Sequence, residues 1–196
     1  MLEAREAGDV RYARPRDLAE ALRLRQQGAR IIAGGTDFYP VRVGWPLHDS
    51  DGSCVLDLTA LAGLKGISDH SGFLRIGALT SWTAIAEAAL PAQFNCLQQA
   101  AREVGGRQIQ NRATIGGNLC NASPAADGVP ALLALGAEVE LLSAGGSRRL
   151  KLTDFILGSR QTALRADEIL AAILIPPAGG EAVSAFGRLD VLINNA

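Results

Sequence analysis

RATIGGNLCNASPAADGVP, residues 112–130, decides how the rest of this chain is read. It sets two adjacent glycines, short hydroxyls, two amides (Asn118 and Asn121) and one acid, Asp127, between apolar segments. Glycine is a poor helix former, and Asn, Ser and Pro favour caps and turns, so the run is expected to be a loop and not a core helix. Its backbone N–H groups can be approached closely, beside short polar side chains. Proteins hold phosphates and cofactor tails in this way. A second stretch, IIAGGTDFYP, residues 31–40, makes the same offer.

The flanking segments read as short alternating elements. Residues 15–28 form a helix, with Pro15 in its first turn, Leu18, Ala21, Leu22 and Arg25 on one face and Gly28 at its end. A short buried strand at 29–33 then runs into Gly34-Gly35-Thr36-Asp37. Thr36 or Asp37 is placed to cap a helix continuing to about residue 45. A strand is expected at 54–58 after a polar loop, and two strands at 64–68 and 73–76 around the turn Asp69-His70-Ser71-Gly72. Helices follow at 81–89, opened by Thr80 or Ser81, and at 92–104. Beyond residue 128 the pattern predicts a short helix at 129–135, a hairpin of 138–142 with 148–152, a helical turn at 154–158, a loop at 164–167 and an apolar strand at 169–175. Local helices mixed with hairpins indicate α+β and not a strict βαβ alternation.

Composition limits the possible roles. The length of 196 residues suits one generous domain or two small ones. A net charge of −1 without a basic block argues against nucleic-acid binding. No apolar run approaches the roughly 20 residues that span a bilayer. The N-terminus lacks the apolar core of a signal peptide, so the cytoplasm is expected. Cys54, Cys96 and Cys120 are widely spaced with no C-x-x-C pair, which argues against a disulfide or metal site held by this chain alone. His48 and His70 sit in polar loops and read as surface.

The glycine pairs fit neither a Walker loop, lacking Lys-Ser/Thr, nor the G-x-G-x-x-G dinucleotide fingerprint. Asp127 has two readings: cap of the helix that follows, or acceptor for the vicinal hydroxyls of a ribose. Cys120 reads as a small buried thiol, with no histidine nearby in sequence to activate it. No acid–base constellation stands out, so no catalytic residue is assigned. Two phosphate-type loops without an acid or base mean that a cofactor carries the chemistry.

At this point three motifs, in order and spacing, resemble a known family. They are Ala33-Gly34-Gly35-Thr36-Asp37; RQIQNRATIGGNL (107–119) with Ser123-Pro124-Ala125-Ala126-Asp127; and Asp167-Glu168-Ile169-Leu170 with Ile175-Pro176. From about Val10 to Phe186 the chain resembles the FAD-binding (medium) subunits of molybdenum hydroxylases, which include xanthine and carbon monoxide dehydrogenases. The resemblance implies a two-subdomain FAD-binding fold of the vanillyl-alcohol-oxidase (PCMH) type. The expected division is a small subdomain at 1–58, a larger one at 59–180, and an aberrant tail or start of a C-terminal domain at 181–196. It implies non-covalent FAD in the crevice, with Ala33, Gly34, Gly35, Thr36 and Asp37 together with Thr114, Gly116, Gly117 and Asn118 on the pyrophosphate. Ser123 belongs to the same motif, Asp127 is implied on the ribose, and Leu170 near the flavin ring. A carboxylate is repelled by a diphosphate, so Asp37 is expected to act through its backbone or as a cap.

The implied function is electron transfer from the [2Fe-2S] clusters of a small partner subunit through FAD to NAD+ or another acceptor. A large subunit carries the molybdenum cofactor. Two departures bear on this. The family continues into a further C-terminal domain, and Gly187 stands where a basic residue commonly follows Ser-Ala-Phe. The tail FGRLDVLINNA, residues 186–196, has the look of a short-chain dehydrogenase strand, but the T-G-x-x-x-G-x-G loop and Y-x-x-x-K pair of such enzymes are missing, so it reads either as chance or, the favoured reading, as the scar of a truncated or rearranged frame. The alternatives are a truncated assembly module with weak or no flavin binding, and a stand-alone flavin oxidoreductase.

Overall fold

The computed structural model describes residues 12–40 and 54–177. The expectations for His48, for the helix beyond residue 40 and for the tail after residue 177 lie outside these residues.

A small parallel sheet opens the chain. β1 (Tyr12–Ala13) and β2 (Arg30–Ile32) flank β3 (Val55–Asp57) in the order β1-β3-β2. Between β1 and β2 runs α1 (Leu18–Gln26). The helix starts later than Pro15 suggested, because the Asp17 carboxylate accepts from the N–H groups of Ala19 and Glu20 and so sets the cap. Gly28, at φ +88°, turns the chain back into β2. β1, which pairs only two residues, carries too little pattern to be read from sequence.

The larger sheet is antiparallel throughout, in the order β4-β5-β10-β6-β7. Its strands are β4 (Ile67–His70), β5 (Phe73–Gly77), β6 (Glu138–Ser143), β7 (Gly146–Lys151) and β10 (Ile169–Ile175). Every residue of the central β10 is buried, because both its faces are covered. Leu170, Ile173 and Ile175 face a core built with Trp82, Leu97, Leu119 and Leu132. Ile169 and Ala171 face the other way, into a core with Ala21, Leu56 and Leu79. β10 therefore joins the two layers.

Helices cover one face of this sheet: α2 (Trp82–Glu87), α3 (Asn95–Glu103), α4 (Arg107–Arg112), α5 (Ile115–Asn121) and α6 (Gly128–Ala134). α7 (Leu152–Phe155) leads into a two-stranded hairpin, β8 (Ile156–Gly158) and β9 (Gln161–Thr162). The helical turn expected at 154–158 thus sits two residues earlier, and 156–158 is strand.

The main correction concerns the opening motif. Residues 115–121 are a helix, not a loop, with Ile115 and Leu119 fully buried. Its glycines are a packing requirement. A Cβ on Gly116 would stand 2.6 Å from the Ala78 methyl and 2.7 Å from its carbonyl oxygen, so only glycine lets α5 lie this close to the end of β5. Tertiary contact outweighs the propensity cost of about 1 kcal/mol per glycine. α4, directly before it, also went unread.

Candidate functional site

The two glycine motifs meet. β2 ends at Ile32, and the next residues turn across the start of α5. A Cβ on Gly34 would lie 2.0 Å from the Arg112 carbonyl oxygen and 2.9 Å from the Ala113 Cα, so backbone rests on backbone at this point. Gly35 has φ +75°, a left-handed conformation, and a side chain there would strike the Tyr39 ring. The Tyr39 N–H donates to the Gly35 carbonyl at 3.0 Å, closing one turn. Among the described residues, the N–H groups of Gly34, Gly35, Thr36 and Asp37 have no acceptor.

α5 behaves differently. The Ile115 N–H donates to the Thr80 carbonyl at 3.0 Å, that of Gly116 to the Ala78 carbonyl at 2.9 Å, and that of Asn118 to the Thr114 carbonyl at 3.0 Å. The Gly117 N–H donates to the Thr114 hydroxyl at 3.1 Å. Every donor in the first turn is already used within the protein. From sequence alone both motifs are expected to be sources of free backbone donors. Only the turn at 33–37 has donors to spare; α5 supplies a surface that can be approached closely.

A cavity of about 610 Å³ lies between these walls, inside the range of roughly 300–1,000 Å³ usual for small-molecule sites. Ala33, Gly34, Gly35, Thr36 and Asp37 line one side. Thr114, Gly116, Gly117 and Asn118 line another, with Leu170 on the floor. The Oδ1 of Asn118 has no partner among the described residues, but it is buried toward Gly128 of α6 and not open to the cavity.

Ser123 and Asp127 are not on the lining. The Ser123 hydroxyl accepts from the Ala125 N–H at 3.4 Å, a local turn. Asp127 is exposed at the N-cap of α6, yet its side chain makes no capping hydrogen bond. The capping reading of this carboxylate is therefore not realised. The next residue, Gly128, brings the start of α6 against Trp82 and the Asn118 side chain: a Cβ there would be 2.3 Å from the indole and 3.2 Å from Asn118 Oδ1. Asp127 thus follows α5 closely and leaves its carboxylate uncommitted.

Arg25, Leu79, Val104, Ile109 and Cys120 also line the cavity, and none was singled out as a site residue from sequence. Arg25 had left a signal, since it fell on the apolar stripe of its helix. Its Nε donates to the Glu168 carbonyl at 3.1 Å and its Nη1 to the Ala29 carbonyl at 2.9 Å. Burial pulls its pKa down from the ordinary value, opposed by Cys120 and Asp167. Burial pushes the Cys120 thiol up to about 12, with Arg25 acting against it. The thiol is protonated at neutral pH, as expected of an inert cysteine.

Behind the floor, Glu168 is 3% exposed and held on three sides. Arg148 donates to it from Nε at 2.6 Å and Nη2 at 2.9 Å, and the Arg165 N–H donates at 2.8 Å. Arg148 also reaches the Ala163 carbonyl at 2.8 Å. These bonds hold its carboxyl below the usual carboxylate range, the bonds from Arg148 most of all. The loop leading into β10 is fixed by this cluster, and with it the start of the cavity floor.

No helix among the described residues is long and apolar enough to cross a membrane. Residues 8–178 match the family described as the FAD binding domain in molybdopterin dehydrogenase. The nicotinate dehydrogenase FAD-subunit of Eubacterium barkeri is 38% identical over 190 residues, which is 92% of this chain and 63% of that protein. The carbon monoxide dehydrogenase medium chain of Afipia carboxidovorans is 33% identical over 177 residues, covering 86% and 59%. Among solved structures, carbon monoxide dehydrogenase from Hydrogenophaga pseudoflava superposes with a TM-score of 0.76 at 28% identity, over 84% of this chain and 58% of that one. Quinoline 2-oxidoreductase from Pseudomonas putida 86 gives 0.74 at 30% identity, over 84% and 58%. The chain spans about three fifths of the length of the curated relatives it matches.

Proposed function

The chain belongs to the family of FAD-binding domains of molybdopterin dehydrogenases, and from that premise we propose that it holds one FAD without a covalent bond and serves as the flavin-carrying, electron-transferring part of a molybdenum hydroxylase. The observation that carries this reading is the meeting of the two glycine motifs at Gly34, beside four backbone N–H groups with no acceptor among the described residues. A diphosphate is the kind of group that such a turn accommodates.

In this reading the backbone of Ala33, Gly34, Gly35, Thr36 and Asp37 donates to the pyrophosphate. Thr114, Gly116, Gly117 and Asn118 form the opposing wall, whose lack of side-chain bulk lets the diphosphate approach. Asp127, free of a capping bond, accepts from the ribose hydroxyls, and Ser123 holds the turn that sets its distance from α5. Leu170 supplies an apolar floor for one of the cofactor's ring systems. The Asp37 carboxylate is exposed, and it turns its charge to water and away from the phosphates. When bound, the flavin supplies the uptake and release of electrons between one-electron and two-electron partners.

The partners in this reading are a small [2Fe-2S] subunit as donor and a large molybdenum-cofactor subunit as the place of substrate oxidation, with NAD+ or another acceptor at the end and the cytoplasm as the setting. Reconstitution with FAD, followed by anaerobic mixing with a reduced [2Fe-2S] subunit of a related enzyme, tests it. Bleaching of the visible flavin band is the expected result. A chain that folds and binds FAD but is never reduced by such a donor or by NADH contradicts the electron-transfer role.

A further inference from the structure

Arg25 stands on the inward stripe of α1 with Leu18, Ala21 and Leu22, where an apolar side chain ordinarily packs. Its two bonds, to the Glu168 and Ala29 carbonyls, fix the guanidinium plane at the beginnings of β10 and β2. Its Nη2 has no acceptor among the described residues, and the side chain lines the cavity. Asp167, whose charge acts on Arg25, is exposed and makes no hydrogen bond to it. A half-buried guanidinium with one donor unused offers a hydrogen bond to a ligand that enters the cavity. Arg30, the other guanidinium on the lining, lies over the Phe38 ring at 5.6 Å.

The two ends of the cavity differ in their lining. Ala29 precedes β2 and the glycine turn follows it. At about 3.3 Å per residue the Arg25 anchor and the turn are on the order of 13 Å apart. Ile169 and Leu170, at 0% and 4% exposure, line the Arg25 end. On the far side of the turn, Gly34 abuts Arg112 and Ala113, and α4 carries Ile109, 40% exposed, at the mouth. A ring that trades electrons with other proteins belongs at the mouth. The non-redox half of a dinucleotide is left for the Arg25 end.

Resting on the reading of the cavity as a flavin dinucleotide site, we propose that Arg25 is a specificity-determining residue for the adenosine half. Its free Nη2–H donates to a ring nitrogen of the purine seated over Leu170, and it thereby selects FAD over FMN. This places adenine, not the flavin ring, at Leu170, the reverse of what the family resemblance implies.

Titration calorimetry of the chain and its R25M and R25K variants with FAD, ADP and FMN tests the assignment. ADP carries the adenosine end without a flavin, and FMN the flavin end without adenosine. The expected result is that R25M weakens FAD and ADP about tenfold or more and leaves FMN unchanged, while R25K, which keeps the charge but not the fork, recovers part of the loss. Equal weakening of ADP and FMN would mean that Arg25 only supports packing, and unchanged ADP affinity would likewise overturn the proposal. If R25M does not fold, R25K decides alone: ADP weakened several-fold with FMN intact supports the assignment, and unaltered ADP affinity refutes it. A wild-type chain that binds ADP but not FAD would overturn the flavin reading while leaving the test of Arg25 intact.

Discussion

Gly34 has no room for a side chain. Its missing Cβ would fall 2.0 Å from a carbonyl oxygen of the facing motif, and neither backbone can yield without opening the cavity between them. Gly34→Ala is expected to cost about 1–3 kcal/mol through overpacking and to lower FAD affinity at least as much as Arg25→Met. Gly63→Ala, at a glycine with no atom within 4 Å of an added Cβ, is the control expected to change neither. Melting curves with and without FAD check both. At the same scale, Glu168 supplies a pH dependence. Its carboxyl pKa is held down in the folded protein, chiefly by Arg148. Its contribution is therefore complete above the pKa of an unfolded glutamate and is lost as pH falls through the folded value. Arg148→Met, which leaves a buried carboxylate with one remaining donor, is expected to cost about 2–4 kcal/mol at neutral pH. The difference from wild type should shrink in acid, as followed by denaturation at a series of pH values. A pH-independent difference would show that the pair acts by packing alone.

Elements differed in how far they could be read. The β4–β5 hairpin was legible in place but not in its bounds: β4 is Ile67–His70 and not 64–68, and the turn is only Ser71-Gly72, which connects His70 to Phe73 with positive φ, +52° and +83°. Ser71 is the less suited of the two to that conformation. Ser71→Asn or Ser71→Gly is therefore expected to raise stability by about 0.5–1 kcal/mol, measured by urea denaturation, without altering cofactor binding. β10 was legible as well, since an apolar run of seven between turns has few other uses. α5 was not. Its glycines lower helix propensity, and the reason for them, the Ala78 backbone, lies far away in sequence. α4 and β1 are short, and their patterning is too brief to register. The site shows the same division. The glycine pairs pointed to residues that meet at one cavity, because close backbone approach demands particular residue types, whereas Ser123 and Asp127 lie off its lining. Which N–H groups are spent and which are free depends on Thr80 and Ala78. Those partners come from another part of the chain, and only the fold reveals them.

For the whole molecule, the cavity lies at the joint between the small parallel sheet and the larger antiparallel one. β10 serves both cores, with Ile169 and Ala171 toward the first and Leu170 and Ile173 toward the second. A ligand in this joint ties the two layers together, so binding should stabilise the molecule as a unit. At a free FAD concentration 100 times its dissociation constant the gain is about 2.7 kcal/mol, or a rise in Tm of about 5–10 °C for a chain of this size. FMN, which lacks the adenosine half, should give a smaller rise.

The claim on which the rest depends is that this chain holds FAD. The direct measurement is the visible absorbance of the purified chain after incubation with excess FAD and gel filtration, read against protein concentration. One FAD per chain is expected to co-elute with the protein, to be released by denaturation as free flavin, and to be lost in Gly34→Ala. A chain that unfolds cooperatively, and so is properly folded, yet elutes without flavin at every FAD concentration tried would contradict it.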